Sequence, residues 1–259
     1  MKTTADKVRE WESTLGRRTI LDQIDEIAEA VTDPLNADAD QCWQVAWPIP
    51  LFAHTTVGNG MGMVERLRPH MEQGWRTWGE RSGPITVKHL GGSNEAANFT
   101  VAGKYAEVIR NCRIAPHRLL AIQGAAKGIR QLVKYDEASP PFAAVAKKPL
   151  NELVPELVEI FGRGWGHISV LHFLTDLGLA VKPDLHLVKT VQSLGLLNDL
   201  EPERVPSLAQ ALAINEEVRR LAAQLNGGQY TPRQLRRLDA LLMEVSRQRL
   251  INRLNKETT

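Results

Sequence analysis

Cysteine is nearly absent from this chain of 259 residues: Cys42 and Cys112 are the only two. A pair so far apart makes neither a disulfide framework nor the clustered spacing of a zinc or iron–sulfur site. His70, His89, His167 and His172 fall into no ligand spacing with acidic or cysteine partners, so no metal site is expected. No apolar run approaches a membrane span, and Met1 is not followed by a basic-then-apolar leader. Internal repeats and low-complexity segments are missing too. These absences predict a reduced, soluble, cytoplasmic protein. Its 43% hydrophobic and 24% charged content suits that class and supplies a substantial core.

A strong charge of either sign is also lacking, the formal net charge being +2. The distribution is less even. Residues 1–40 hold five basic and ten acidic side chains, whereas residues 101–150 hold nine basic and three acidic. One DNA-facing surface would leave that pattern, and so would ordinary solvated helix faces.

What is present is helical. Residues 5–14 and 17–32 have amphipathic spacing, the second placing Ile20, Ile24, Ile27 and Val31 on one face before Asp33-Pro34 stops it. The segment 41–57, with Trp43, Trp47, Pro48 and Pro50, precedes a helix that turns Met63, Val64 and Leu67 inward. Tryptophans 43, 47, 75 and 78 suit either a base pocket or an aromatic core. A brief strand is expected over 85–90, ended by Gly91-Gly92, and then a helix over 93–112 with Phe99, Val101, Ala102, Tyr105, Val108 and Ile109 at helical spacing. Residues 116–133 read as helix despite Gly124 and Gly128, and a proline-bearing loop occupies 136–148. Helices over 207–225 and 231–254 follow, the latter opened by the N-cap and N1 pair Thr231-Pro232 and striped by Leu235, Leu238, Leu241, Leu242 and Val245. The expected fold class is all-α.

The stretch 149–197 stands out. An amphipathic run, LNELVPELVEI, breaks at Phe161-Gly162-Arg163-Gly164-Trp165-Gly166, and a second apolar run, HISVLHFLTDLGLA, follows. The chain breaks again at Val181-Lys182-Pro183-Asp184 and starts a third helix, LHLVKTVQSLGLL. Glycines permit a hairpin through positive φ and bring bare backbone against a partner. The second helix then points its unpaired N–H groups outward, which suits a phosphate.

This order resembles the helix-hairpin-helix DNA glycosylase superfamily, the relatives of endonuclease III, MutY and 8-oxoguanine glycosylase. The family hairpin reads leucine-proline-glycine-valine-glycine, followed some twenty residues later by aspartate-X-histidine. Here Phe161-Gly162-Arg163-Gly164 stands for the hairpin, and Pro183-Asp184-Leu185-His186 for the aspartate motif. A weaker likeness runs over Leu51-Phe52-Ala53-His54-Thr55-Thr56-Val57 and Met63-Val64-Glu65-Arg66-Leu67, which is similar to the opening of the glycosylase barrel.

The resemblance implies a two-lobed helical fold with a DNA-binding cleft between the lobes. Residues 48–200 would form the barrel, with the helix-hairpin-helix at 149–178 and the aspartate loop. Residues 1–47 and 201–259 would form the second lobe. It implies Asp184 as the catalytic carboxylate, although Pro-Asp ahead of an apolar run is also an ordinary N-cap. A fixed carboxylate stabilises the oxocarbenium-like sugar left when a base departs, and orients or deprotonates a water.

Gly162, Arg163, Gly164, Gly166 and His167 would hold DNA through phosphates, with Arg163 adding a contact or simply being solvated. Trp165 is expected in hairpin packing rather than as a stacking platform. His54 falls where the family's glutamine or asparagine sits near the gap left by an extruded base, or is a plain surface or core histidine. His186 is expected to support the Asp184 loop. No cofactor is required by the resemblance, which extends to this hairpin the family's monovalent cation held by hairpin carbonyls. The four-cysteine cluster of many relatives is missing, so no iron–sulfur centre is expected.

Relatives that also cut the strand carry a lysine eighteen residues ahead of the aspartate, and here that position is Gly166. The expectation is therefore a monomeric, nucleoid-associated, monofunctional glycosylase. It would flip a damaged or modified base from duplex DNA and leave an abasic site. A glycosylase fold that grips DNA without chemistry is one alternative, and an all-α interaction protein that never meets DNA is another.

Overall fold

A computed structural model of the chain describes residues 3–16, 20–71, 74–92, 98–133, 140–143, 145–201 and 203–251. Among these the helices are α1 (Thr4–Gly16), α2 (Ile20–Glu29), α3 (Ala39–Ala46), α4 (Val57–Leu67), α5 (Gly74–Trp78) and α6 (Ala106–Asn111). Then come α7 (Pro116–Val133), α8 (Leu150–Phe161), α9 (His167–Asp176), α10 (Leu185–Ser193), α11 (Leu208–Leu225) and α12 (Pro232–Arg247). Strands β1 (Thr86–His89) and β2 (Phe99–Ala102) pair antiparallel, so the protein is mostly helical. No helix of the described residues is long and apolar enough to cross a membrane.

Local chemistry explains where helices begin. Asp38 with Gln41, Ser207 with Gln210, and Thr231 with Gln234 form reciprocal capping boxes at α3, α11 and α12. The α3 helix ends at Ala46, ahead of Pro48 and Pro50, in a segment for which no element was expected. Residues 17–19 of the expected second helix and 252–254 of the expected last one lie outside the described residues.

The helix expected over 93–112 is corrected. Phe99–Ala102 is a strand, with Val87 opposite Val101 and His89 opposite Phe99, and helix resumes only at Ala106. Positions 93–97 lie outside the described residues. Gly103 separates the two elements at φ +113, and a Cβ there would stand 2.9 Å from Ile85 Cα. The β-branched pair Thr100-Val101 suits the pleat. The apolar spacing that imitates a helix is split between this strand and the short α6.

The chain divides into two compact units, 1–33 with 174–259, and 34–173. The divisions thus fall at 33/34 and 173/174 rather than at 47/48 and 200/201. Helix α3 packs on α5 and α7, which places residues 34–47 in the middle unit. Helix α10 packs on α12, which places residues 174–200 with the two chain ends.

The core of the unit formed by the ends contains Trp11, Ile24, Leu187, Val191, Ile214, Val218, Leu235 and Leu242. The middle unit is built on α7, which meets α3, α5, α8 and both strands. Trp43, Trp47, Trp75 and Trp78 are all buried, so they are core residues. Cys42 is buried there as well, and burial, then Asp38, pushes its thiol up to about 12. It is an inert apolar filler at neutral pH.

Candidate nucleic-acid and catalytic site

Helix α8 ends at Phe161, and Gly162 caps it at φ +70 while donating its N–H to Val158 O at 2.9 Å. The turn tightens with Trp165 N–H to Gly162 O at 3.1 Å, and Gly164 follows the left-handed path at φ +90. A Cβ at Gly164 would lie 2.6 Å from Ala121 Cβ, so the hairpin backbone rests directly on α7. Gly124 and Gly128 complete that seat, since a Cβ on either would collide with Phe161, its carbonyl oxygen or its ring. Two helix-weakening glycines in α7 thereby have a cause. They clear the groove into which the hairpin fits.

Trp165 turns inward. It is 3% exposed, its Nε1–H donates to Ala121 O at 2.8 Å, and its ring lies 4.6 Å from that of Phe161. Its bulk therefore leaves the outer side of the hairpin clear. Gly164 and Gly166 are exposed, and their amide N–H groups have no acceptor among the described residues. The first helical bond of α9 runs from Val170 N–H to Gly166 O at 3.0 Å, so the amides ahead of it point out of the helix end. Such amides with a helix dipole behind them favour an anion. His167, the first residue of α9, is half-buried and already engaged.

Arg163 is not simply solvated. Its Nη1 donates to His89 Nδ1 at 2.9 Å, and its Cζ lies 5.6 Å from the centroid of the Phe99 ring. A guanidinium only donates, so His89 Nδ1 is the acceptor and Nε2 carries the ring proton. That Nε2 is buried without a partner. The β1–β2 arm thus holds the hairpin arginine in place.

The hairpin carbonyls bear on the cation that the resemblance implies. Those of Gly162 and Gly166 accept N–H bonds, and those of Phe161 and Arg163 face the backbone of α7 at Gly124. With these oxygens bonded or turned against α7, the hairpin carbonyls named here do not by themselves make a cation shell. Among the described residues no group of three or more His, Cys, Asp or Glu side chains gathers to hold a metal.

His54 lies in the same unit. It is exposed at φ 50, between a 3-10 turn over Ile49–Phe52 and the start of α4, which Thr56 caps. A non-glycine residue in that region is strained unless its surroundings fix it. Arg118 of α7 does so, its Nη1 donating to Pro50 O at 2.9 Å and Leu51 O at 2.6 Å, and its Nη2 to Ala53 O at 2.8 Å.

Asp184 and His186 belong to the other unit. Asp184 is the N-cap of α10, and its Oδ1 accepts from His186 N–H at 2.9 Å and Leu187 N–H at 3.1 Å. Its Oδ2 has no donor among the described residues. One oxygen fixes the carboxylate and the other is open to a ligand. The imidazole of His186 does not reach the Asp184 loop. Its Nδ1 pairs with Ser246 Oγ at 3.1 Å, which ties α10 to α12, and only its main chain serves the aspartate.

Sequence reasoning passed over Asn215, Asp239 and Arg236. Asn215 Oδ1 accepts from Val181 N–H at 2.7 Å, and Asp239 Oδ1 from Lys182 N–H at 3.1 Å. Arg236 links Asp239 Oδ2 at 2.6 Å with Asp176 Oδ1 at 3.1 Å. Burial above all, then Asp184 and Asp176, raises Asp239 to about 6, against the opposing pull of Arg236 and Lys182 N–H. No signal short of the fold marks these residues, because their partners lie 34 and 57 positions away. The chain matches no protein-family model, and no curated protein or solved structure matches it.

Proposed function

We propose that the protein is a monofunctional DNA N-glycosylase of the helix-hairpin-helix type, acting on a damaged or modified base in duplex DNA. One observation carries the reading. A hairpin that exposes Gly164 and Gly166, whose amides have no acceptor among the described residues, is followed, eighteen residues after Gly166, by an aspartate with one oxygen fixed and one open. The amides grip a phosphate without reading sequence. His54 fills the stack when the base is extruded. The Oδ2 of Asp184 stabilises positive charge developing on the sugar and directs a water to C1′, so the base leaves and an abasic site remains.

A panel of duplexes carrying alkylated, oxidised, deaminated and hypermodified bases tests this, with alkali used to reveal abasic sites. Asp184→Asn keeps a capping oxygen for His186 and Leu187 while removing the charge. Alkali-dependent nicking by wild type that is lost in Asp184→Asn is the expected result. Equal nicking by both proteins would remove Asp184 from the chemistry.

A second reading, a DNA grip without catalysis, draws on the cap itself, since the two bonds to Oδ1 already account for an aspartate here. Tight duplex binding by both proteins, with no product from any base, would favour it.

A further inference from the structure

We propose that Asn215 and Asp239 are positioning residues that lock the backbone ahead of Asp184 and so present its free carboxylate oxygen in a single orientation. The inference rests on the reading of Asp184 as the reacting group. Residues 181–184 have no regular structure, yet every amide proton among them is used. Val181 N–H goes to Asn215, Lys182 N–H to Asp239, Pro183 has none, and Asp184 N–H returns to Lys182 O at 2.8 Å. Asn215 also donates from Nδ2 to Val181 O at 3.2 Å and Ala211 O at 3.0 Å, which fixes which way its amide faces. The Asp184 Oδ1 is then held by His186 and Leu187.

Both positioning residues are almost wholly buried, within helices α11 and α12 where an apolar side chain would fill the same space more favourably. A buried amide and a buried carboxylate are costly unless their hydrogen bonds are made, and here Asn215 closes two of its bonds on Val181 while one oxygen of Asp239 is given to Lys182 N–H. Arg236 holds Asp239 from the far side, so the carboxylate cannot rotate away from Lys182 N–H without breaking an ion pair. The groups around Asp239 are Arg236 on its own helix, Asp176 at the end of α9, and Asp184 with the Lys182 amide on the loop.

Amide hydrogen exchange on the whole protein reads this geometry without a substrate. In Asn215→Ala and Asp239→Ala, the His186 and Leu187 amides should exchange roughly tenfold to a hundredfold faster, while core amides of α1 and α2 keep their rates. Asp239→Asn keeps an acceptor for Lys182 N–H and should stay within about threefold of wild type. Unchanged exchange at His186 and Leu187 in both alanine variants would overturn the proposal.

Should those variants not fold, wild type decides. Fast exchange at Val181 and Lys182, at the rate of exposed turn amides such as that of Gly227, would equally overturn it. On any base that the duplex panel identifies, Asn215→Ala should lower kcat roughly tenfold to a hundredfold with KM unchanged. A panel silent for wild type would sink the glycosylase reading, while the exchange rates would still decide the positioning role.

Discussion

A lysine at position 166 would bring an amine to the exposed hairpin, beside the amides of Gly164 and Gly166. Gly166 is exposed, and a Cβ placed on it meets nothing within 4 Å. Gly166→Lys is therefore accommodated, and on the proposed chemistry it should add a Schiff-base step. Borohydride reduction in the presence of an abasic duplex should trap the variant covalently and leave wild type free. Trapping of wild type would show that another amine already performs the lyase step. Asp239 offers a second test at this scale. Its folded value of about 6 stands above the ordinary aspartate value of 3.8, so the folded protein binds an extra proton between those limits. The stability it contributes is complete below the unfolded value and is lost as pH rises through the folded one, by about 3 kcal/mol in all. The stability of wild type relative to Asp239→Asn, measured by thermal or urea unfolding, should fall as pH is raised from 4 to 7.5. A constant gap would mean that Arg236 keeps Asp239 ionised throughout.

Elements meet through glycines here, and that sets the cost of adding a methyl group. Gly164→Ala puts a Cβ against Ala121 at positive φ and should cost roughly 1–3 kcal/mol in urea unfolding while weakening duplex binding. Gly58 lies in α4 with open space around its Cβ, so Gly58→Ala should instead stabilise by up to about 1 kcal/mol. A Gly164→Ala variant as stable as wild type would mean that the hairpin sits off α7. The same contrast explains what was legible in the sequence. Helices α7, α11 and α12 declare themselves through apolar period, Pro116 at the first turn and the caps at Ser207 and Thr231, all of which are local. The glycine hairpin was local as well. Strand β2 was not, because its partner is β1, and Phe99 with Val101 fits a strand while Phe99 with Ala102 fits a helix. Gly124 and Gly128 looked like weaknesses because their reason, Phe161, lies on another helix. The His186 ring went to Ser246 for a like reason, sixty positions along the chain.

At the scale of the molecule, the small net charge conceals a difference in how cations are spent. In the unit formed by the chain ends, several arginines are taken up by carboxylates: Arg9 by Asp6, Arg220 by Glu216 and Glu217, Arg233 by Glu29, Arg237 by Glu12 and Asp25. Such surface pairs add little stability, but each cancels a positive charge. In the 34–173 unit, Arg66, Lys88, Arg110, Arg113, Lys127 and Arg130 are exposed and have no carboxylate partner among the described residues. The field that a polyanion would meet is therefore concentrated on the unit that carries the hairpin, whatever the net charge. Neutralising a phosphate releases counterions, so duplex affinity should fall steeply with salt. Reversing Lys127 and Arg130 together should weaken binding and flatten the dependence of log affinity on log salt by about one for each phosphate no longer neutralised. Arg220→Glu, which disrupts a neutralised pair in the other unit, should leave that slope near its wild-type value. Equal slopes in all three proteins would mean that these lysines and arginines are only solvated. Wild-type affinity that does not change with salt would remove DNA as the partner altogether.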